Sequence, residues 1–169
     1  GTGVTAYKYK IIESPYTTGC TNSSGYSAEI AVATHITDDI SSNAEGGIRI
    51  CAVGKSAAGT WQAYASASAA TWTKDTTAPA APSGLARQSP TTTPNNDSTP
   101  TIRVSGVVSG DTIKLFTDNT CATEVASGTA SGTTIDLTPS AMTDGSYSFY
   151  AKATDSAGNS SSCSSATVA

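Results

Sequence analysis

The chain has 169 residues, a formal net charge of −4, and only 13% of it is Asp, Glu, Lys or Arg. No run of Lys or Arg exists, which excludes the long-range attraction behind nucleic-acid binding; no stretch of about 18 apolar residues exists either, which excludes insertion into a membrane as a helix. About a third of the residues are Ser or Thr and only three are Leu, so strands are favoured over helices throughout.

The first element is residues 6–12, AYKYKII. Tyr7, Tyr9 and Ile11 alternate with Lys8 and Lys10, which predicts a half-buried strand with its lysines outward. Residues 27–36 predict a second strand, with Ile30, Val32 and Ile36 spaced for one face. Residues 47–53 predict a third, with Ile48 and Ile50 inward and Arg49 outward. Residues 61–72 predict a fourth, long and Ala/Ser-rich, as a sheet edge. Residues 73–84, TKDTTAPAAPSG, lose the hydrophobic period. Pro79 and Pro82 remove amide donors and stiffen the chain, as in a short semi-rigid linker.

Residues 99–106 predict a strand with Ile102 and Val104 on one face. Ser109-Gly110 turns into residues 111–118, with Ile113 and Leu115 inward; residues 133–138 are a short strand. Thr143-Asp144-Gly145 turns into residues 146–154, with Tyr147, Phe149, Ala151 and Ala153 on one face. Residues 155–159 form a tight turn, and a last strand covers residues 162–168. Short strands separated by regular turn signals predict antiparallel β-sandwiches.

Residues 46–62, GGIRICAVGKSAAGTWQ, match residues 145–161, GSYSFYAKATDSAGNSS, at a constant offset of 99. Gly46, Ala52, Ala58 and Gly59 fall on Gly145, Ala151, Ala157 and Gly158. A repeat of this length predicts two copies of one small domain in series. The expected division is 1–76, a linker 77–84, and 85–169. The first copy has no equivalent of residues 99–106, so its sandwich is expected to lack one or two N-terminal strands or to borrow them.

Four cysteines allow three pairings. Two fall in each copy, Cys20 with Cys51 and Cys121 with Cys163, and pairing within a copy closes the shorter loops. Each such bridge is worth about 4 kcal/mol in the chain-entropy account. The single histidine, His35, and the absence of CxxC argue against zinc. Disulfides imply an oxidising compartment, hence an extracellular or cell-surface location.

The stretch TPTIRVSGVVSGDTIKLFTD followed by DGSYSFYAKATDSAGNSS resembles bacterial immunoglobulin-like repeats. GVTAYKYKI with GGIRICAVGKSAAGTWQ is similar to a fibronectin type III relative of the same sandwich, and WTKDTTAP resembles the linker between such repeats. The resemblance implies an all-β chain of two antiparallel Ig-like/FnIII-like sandwiches in tandem, one disulfide each. It also implies a segment of a large secreted or surface-attached bacterial adhesin or fibre. Cys51 aligns with Tyr150, which parity turns outward. The first bridge is therefore expected on a sheet face, tying the loop after the first strand to a neighbouring strand. The Trp-on-disulfide packing of antibody domains is expected to be absent.

Catalytic chemistry finds no constellation. His35, Asp38 and Asp39 are close in sequence, but no Gly-rich elbow or pocket-building insertion accompanies them. Glu13, Glu29, Glu45 and Glu124 are scattered. Calcium is the metal to consider, since related tandem repeats hold it at domain junctions. The candidate donors are Asp75, Asp155 and Asn159. The aromatics to watch for a glycan are Trp61, Tyr64, Tyr16 and Tyr26, with Trp61 and Trp72 on opposite faces. The expected function is a non-enzymatic spacer or adhesive segment of an exported surface protein. The alternatives are a glycan- or protein-binding recognition module and an accessory domain of a secreted hydrolase. Partners are neighbouring repeats and a host or target-cell glycan or protein, with no nucleic acid and no membrane insertion.

Overall fold

The computed structural model of the protein describes residues 3–165, 167 and 168. The backbone divides into two compact units, Gly1–Asp75 and Thr76–Ala169. Among the described residues the structure is antiparallel β throughout, broken by one 3-10 turn at Tyr64–Ser66.

The N-terminal unit is built on one four-stranded sheet. Its strands are β1 (Val4–Glu13), β2 (Ile30–Ala31), β3 (Gly46–Ser56) and β4 (Ser68–Lys74), in the order β2-β1-β3-β4. The register sets Tyr7, Tyr9 and Ile11 across from Gly54, Ala52 and Ile50, and Ile48 across from Trp72. Cross-strand partners share a face, so these residues line one side. Lys8, Lys10 and Ile12, across from Val53, Cys51 and Arg49, line the other. Both sides are covered, since Tyr9 and Ile48 are buried on the first and Cys51 and Val53 on the second. The first side is covered by loop: Tyr7 Oη donates to the carbonyl of Thr34 at 2.6 Å, the Tyr9 phenol lies beside the Asp38 carboxylate, and Lys74 Nζ donates to the carbonyl of Ser41 at 2.7 Å.

The C-terminal unit has two sheets. One holds β5 (Gly84–Ser89), β6 (Thr101–Ser105) and β9 (Thr134–Leu137), in the order β5-β6-β9. The other holds β7 (Thr112–Phe116), β8 (Glu124–Thr129) and β10 (Tyr150–Thr154), in the order β10-β7-β8. Ile102, Val104 and Leu137 from the first meet Ile113, Leu115, Ala151 and Ala153 from the second in a single apolar core. Burying such side chains on facing sheets is what drives the sandwich together.

The 99-residue offset holds in hydrogen bonds as well as in letters. Ser56 N donates to Thr60 O at 2.8 Å, and Asp155 N to Asn159 O at 3.0 Å. Gly59 and Gly158 follow at φ +82° and +93°, a conformation that favours glycine. Beyond the turn, Gln62 N and Ser161 N return to Gly54 O and Ala153 O. The matching amides, Gly54 N and Ala153 N, donate to side chains instead, Gln62 Oε1 and Ser161 Oγ. By these pairings β3 is the counterpart of β10, and β1 of β7.

Several expected strands come out differently. Residues 27–36 supply only Ile30–Ala31 to the ladder. Residues 61–72 are not one strand: Trp61 bridges Lys55, the Gln62 amide donates to the Ser66 carbonyl across the 3-10 turn, and β4 starts only at Ser68 and runs on to Lys74. β5 and β8 have no counterpart among the expected elements, because their Ala, Gly, Ser and Arg content dilutes the alternation. The 146–154 strand starts at Tyr150, with Phe149 bridging Val168. Of the strand expected over 162–168, Ala166 lies outside the described residues and the described ones form no regular strand: Ser161 and Ser164 hydroxyls take the amides of Ala153 and Ala151 where carbonyls would stand. Finally, Lys10 does not point into solvent but is 4% exposed. Residues 20–26 fold over it and its Nζ donates to the carbonyls of Asn22 (2.7 Å) and Ser24 (3.2 Å).

Candidate functional surface

Three aromatic side chains lie over cations on the second side of the N-terminal sheet. Lys8 Nζ is 4.8 Å and Lys55 Nζ 5.6 Å from the Trp61 ring centre. Lys10 Nζ is 4.9 Å over Tyr26, and the Arg49 guanidinium is 4.1 Å over Tyr16. Each pair is worth about 0.5–1 kcal/mol, more where water is excluded. Tyr64 leans on Tyr26 at 4.9 Å between ring centres, and Lys55 closes on Glu29 at 2.8 Å. Burial pushes the Tyr26 phenol up and the Lys10 ammonium down from their ordinary values.

The disulfide Cys20–Cys51 anchors this cover. Cys51 sits mid-strand on β3 with no exposed surface, and Cys20 lies in the loop that follows β1. Their Cα atoms are 5.5 Å apart. The bridge thus ties that loop to a sheet face, and Tyr26 Oη donates to the Cys20 carbonyl at 2.9 Å. The loop's seat is narrow: a side chain at Gly47 would run into the Tyr16 ring.

In the C-terminal unit Cys121 bonds Cys163, with Cα atoms 5.8 Å apart. Cys121 has φ +54°, a strained value for a non-glycine. Asp118 imposes it. Its carboxylate accepts the amides of Thr120 (3.0 Å), Ala122 (3.1 Å) and Thr123 (2.6 Å). Bonded first by Thr120 Oγ1 and then by these amides, the carboxyl is held far below the usual carboxylate range. The sequence signal was Asp118-Asn119-Thr120, a side chain that can cap its own turn.

The profile of the bacterial Ig-like domain family covers residues 72–169. The chain belongs to that family. A solved structure described as the BSP domain of a biofilm-associated protein is similar to 99% of this chain at 18% identity and a TM-score of 0.39, and the match spans 25% of that chain. No curated protein matches.

The outer face of the Ig-like domain carries a shallow, open depression of about 320 Å³, lined by Lys114, Phe116, Cys121, Glu124 and Lys152 among others. Lys114 is paired with Glu124 at 2.8 Å, and that pairing pulls the Glu124 carboxyl down. The depression is a trough between side chains of β7, β8 and β10 and the loops that carry Cys121 and Ser160.

The expected calcium donors are placed as follows. Asp155 and Asn159 share one turn, and Asp155 already accepts the amides of Ala157 and Asn159 at 2.9 Å each and the Asn159 side chain at 3.0 Å. Asp75 closes the N-terminal unit, directly after β4. Among the described residues no three His, Cys, Asp or Glu side chains come together as a metal needs. His35 is exposed, Asp38 is engaged by Tyr9 and Asp39 by Ser41. Trp61 and Trp72 are on opposite faces, Trp72 with 38% of its surface exposed.

Proposed function

We propose that this chain is a non-catalytic, disulfide-braced spacer or adhesive segment of an exported bacterial surface protein, built to give reach and resist pulling. One observation carries the reading. The aromatics best suited to a ligand platform are already spent on the protein's own cations: Trp61 on Lys8 and Lys55, Tyr26 on Lys10, and Tyr16 on Arg49. Membership of the bacterial Ig-like family supports it. Two disulfides closing 31 and 42 residues support the placement outside the cell. The neighbouring copies that a tandem array supplies are then the chain's first partners.

Single-molecule pulling from end to end tests the mechanical claim. The bridges should hide roughly 110 Å and 150 Å of extension, 31 and 42 residues at about 3.5 Å per residue, and reductant should release both. A glycan array probed with the intact chain should stay at background. Saturable glycan binding that Trp61→Ala removes would replace the spacer reading with recognition.

A further inference from the structure

The offset of 99 reaches back beyond the shared turn. It sets Thr34, Ile36 and Asp38 on Thr133, Ile135 and Leu137. The latter three belong to β9 or precede it by one residue, and β9 is paired to β6: Ile102 faces Leu137, Arg103 faces Asp136, and Val104 faces Ile135. The carbonyl of Thr133 accepts the amides of Gly106 and Val107 as β6 ends. In the N-terminal unit the corresponding segment has no such partner. No backbone–backbone hydrogen bond among the described residues involves residues 35–39, all five are exposed, and the Thr34 carbonyl takes the Tyr7 hydroxyl instead.

The side chains repeat the message. Tyr9 stands where the C-terminal unit has Leu115, and Asp38 where it has Leu137, so two buried leucines give way to a phenol beside an exposed carboxylate. Among the described residues, four of the five large apolar side chains left open lie in this unit, Val4 (51%), Val32 (54%), Ile36 (37%) and Trp72 (38%), and the fifth, Val108, lies in the other. In the C-terminal unit the matching face is closed by β5 and β6, which bring Ile102 and Val104. The open segment also carries Asp38 and Asp39, and no Lys or Arg occurs between Val32 and Ile48. In the finished layer Arg103 of β6 meets Asp136 of β9 at 2.7 Å.

We propose that residues 34–38 are the open edge of an unfinished second layer, and that this edge with its adjoining apolar face takes up an extended peptide strand bearing branched aliphatics at alternate positions and a basic residue between them. Main-chain hydrogen bonds hold such a strand and alternate side chains select it. Ile102, Arg103 and Val104 show the pattern in place, and the acidic character of the edge favours the basic residue. The proposal stands independently of the spacer reading.

The test uses the intact, oxidised chain and a synthetic peptide of the sequence TPTIRVSG, with amide chemical shifts read at increasing peptide concentration. Saturable shifts at residues 34–38 are expected, with slowed amide exchange there. A peptide with Ser at both aliphatic positions should bind at least about tenfold more weakly. Ile36→Asp should abolish binding while β1 and β3 keep their shifts, and Tyr7→Phe, which frees the Thr34 carbonyl, should tighten it about fivefold. Equal binding of the two peptides, or none by either, overturns the proposal. So does concentration-dependent dimerisation that protects residues 34–38 without peptide, since the edge would then belong to a second copy.

Discussion

The two units carry the same turn and the same strand pair, yet they reach stability by different routes. In the C-terminal unit β7 and β10 meet a second sheet, and Ile113, Leu115 and Ala151 lose all contact with water. In the N-terminal unit their counterparts β1 and β3 are covered by loops on both sides, and Tyr7, Ile11 and Ile50 stay half-buried. What aliphatic packing does in one is done in the other by a disulfide-anchored loop, four cation–aromatic contacts and a tyrosine–aspartate contact. A repeat therefore conserves the hydrogen-bond frame of its strands without conserving the means of covering them.

The sharpest way to break that comparison is to remove the bridges separately. Cys20→Ser with Cys51→Ser is expected to unfold the N-terminal unit, whereas Cys121→Ser with Cys163→Ser should leave the sandwich folded and weaker by about 4 kcal/mol. Denaturant titration followed by unit-resolved NMR signals reads both. Next in size is Leu115→Ala, which leaves a cavity between two sheets and should cost about 2–5 kcal/mol. At the matching position Tyr9→Phe loses only the phenol's interaction with Asp38 and should cost about 1 kcal/mol. Equal losses at the two positions would mean that the covers are equivalent after all.

A pH titration refines the same contrast. The Tyr9 phenol is pushed up to about 12 from 10.0, first by its hydrogen bond to Asp38, then by burial and by the Asp38 charge. A phenol raised in the folded state binds its proton more tightly there. Its contribution is whole below pH 10 and fades between pH 10 and about 12. The N-terminal unit should weaken over that window, and Tyr9→Phe should flatten the slope, as followed by its own NMR signals. The Asp118 carboxyl is depressed, so its contribution to the C-terminal unit is present above pH 4 and is lost as the pH falls below that value. Smallest of all, Lys8→Met should cost about 0.5–1 kcal/mol, one cation–aromatic contact at a half-exposed site.

The sequence revealed the frame and hid the cover. The alternation of Tyr7, Tyr9 and Ile11 with Lys8 and Lys10 gave β1, and the matched glycines gave the turns, because both signals are local. Lys10 was misread for a related reason: alternation tells which face a side chain takes, not what later folds over that face. The spacing of Ile30, Val32 and Ile36 predicts a strand over 27–36, but a strand exists only with a partner to bond, and among the described residues no strand pairing continues beyond Ala31. The serine hydroxyls of Ser161 and Ser164 were invisible as ladder substitutes in a chain so rich in serine. Among the candidate surface residues, Trp61, Tyr16 and Tyr26 meet cations and Tyr64 leans on Tyr26. Their cations come from Lys8, Lys10, Arg49 and Lys55 on two different strands, a juxtaposition that no spacing within one segment encodes.

Amide hydrogen exchange of the intact, oxidised chain tests the contrast most directly. Residues 134–137 of β9 should be strongly protected by β6, while residues 35–38, their counterparts 99 positions earlier, should exchange at nearly the rate of an open chain. Comparable protection of the two segments would mean that the N-terminal unit already holds a finished second layer and would contradict an open edge at residues 34–38.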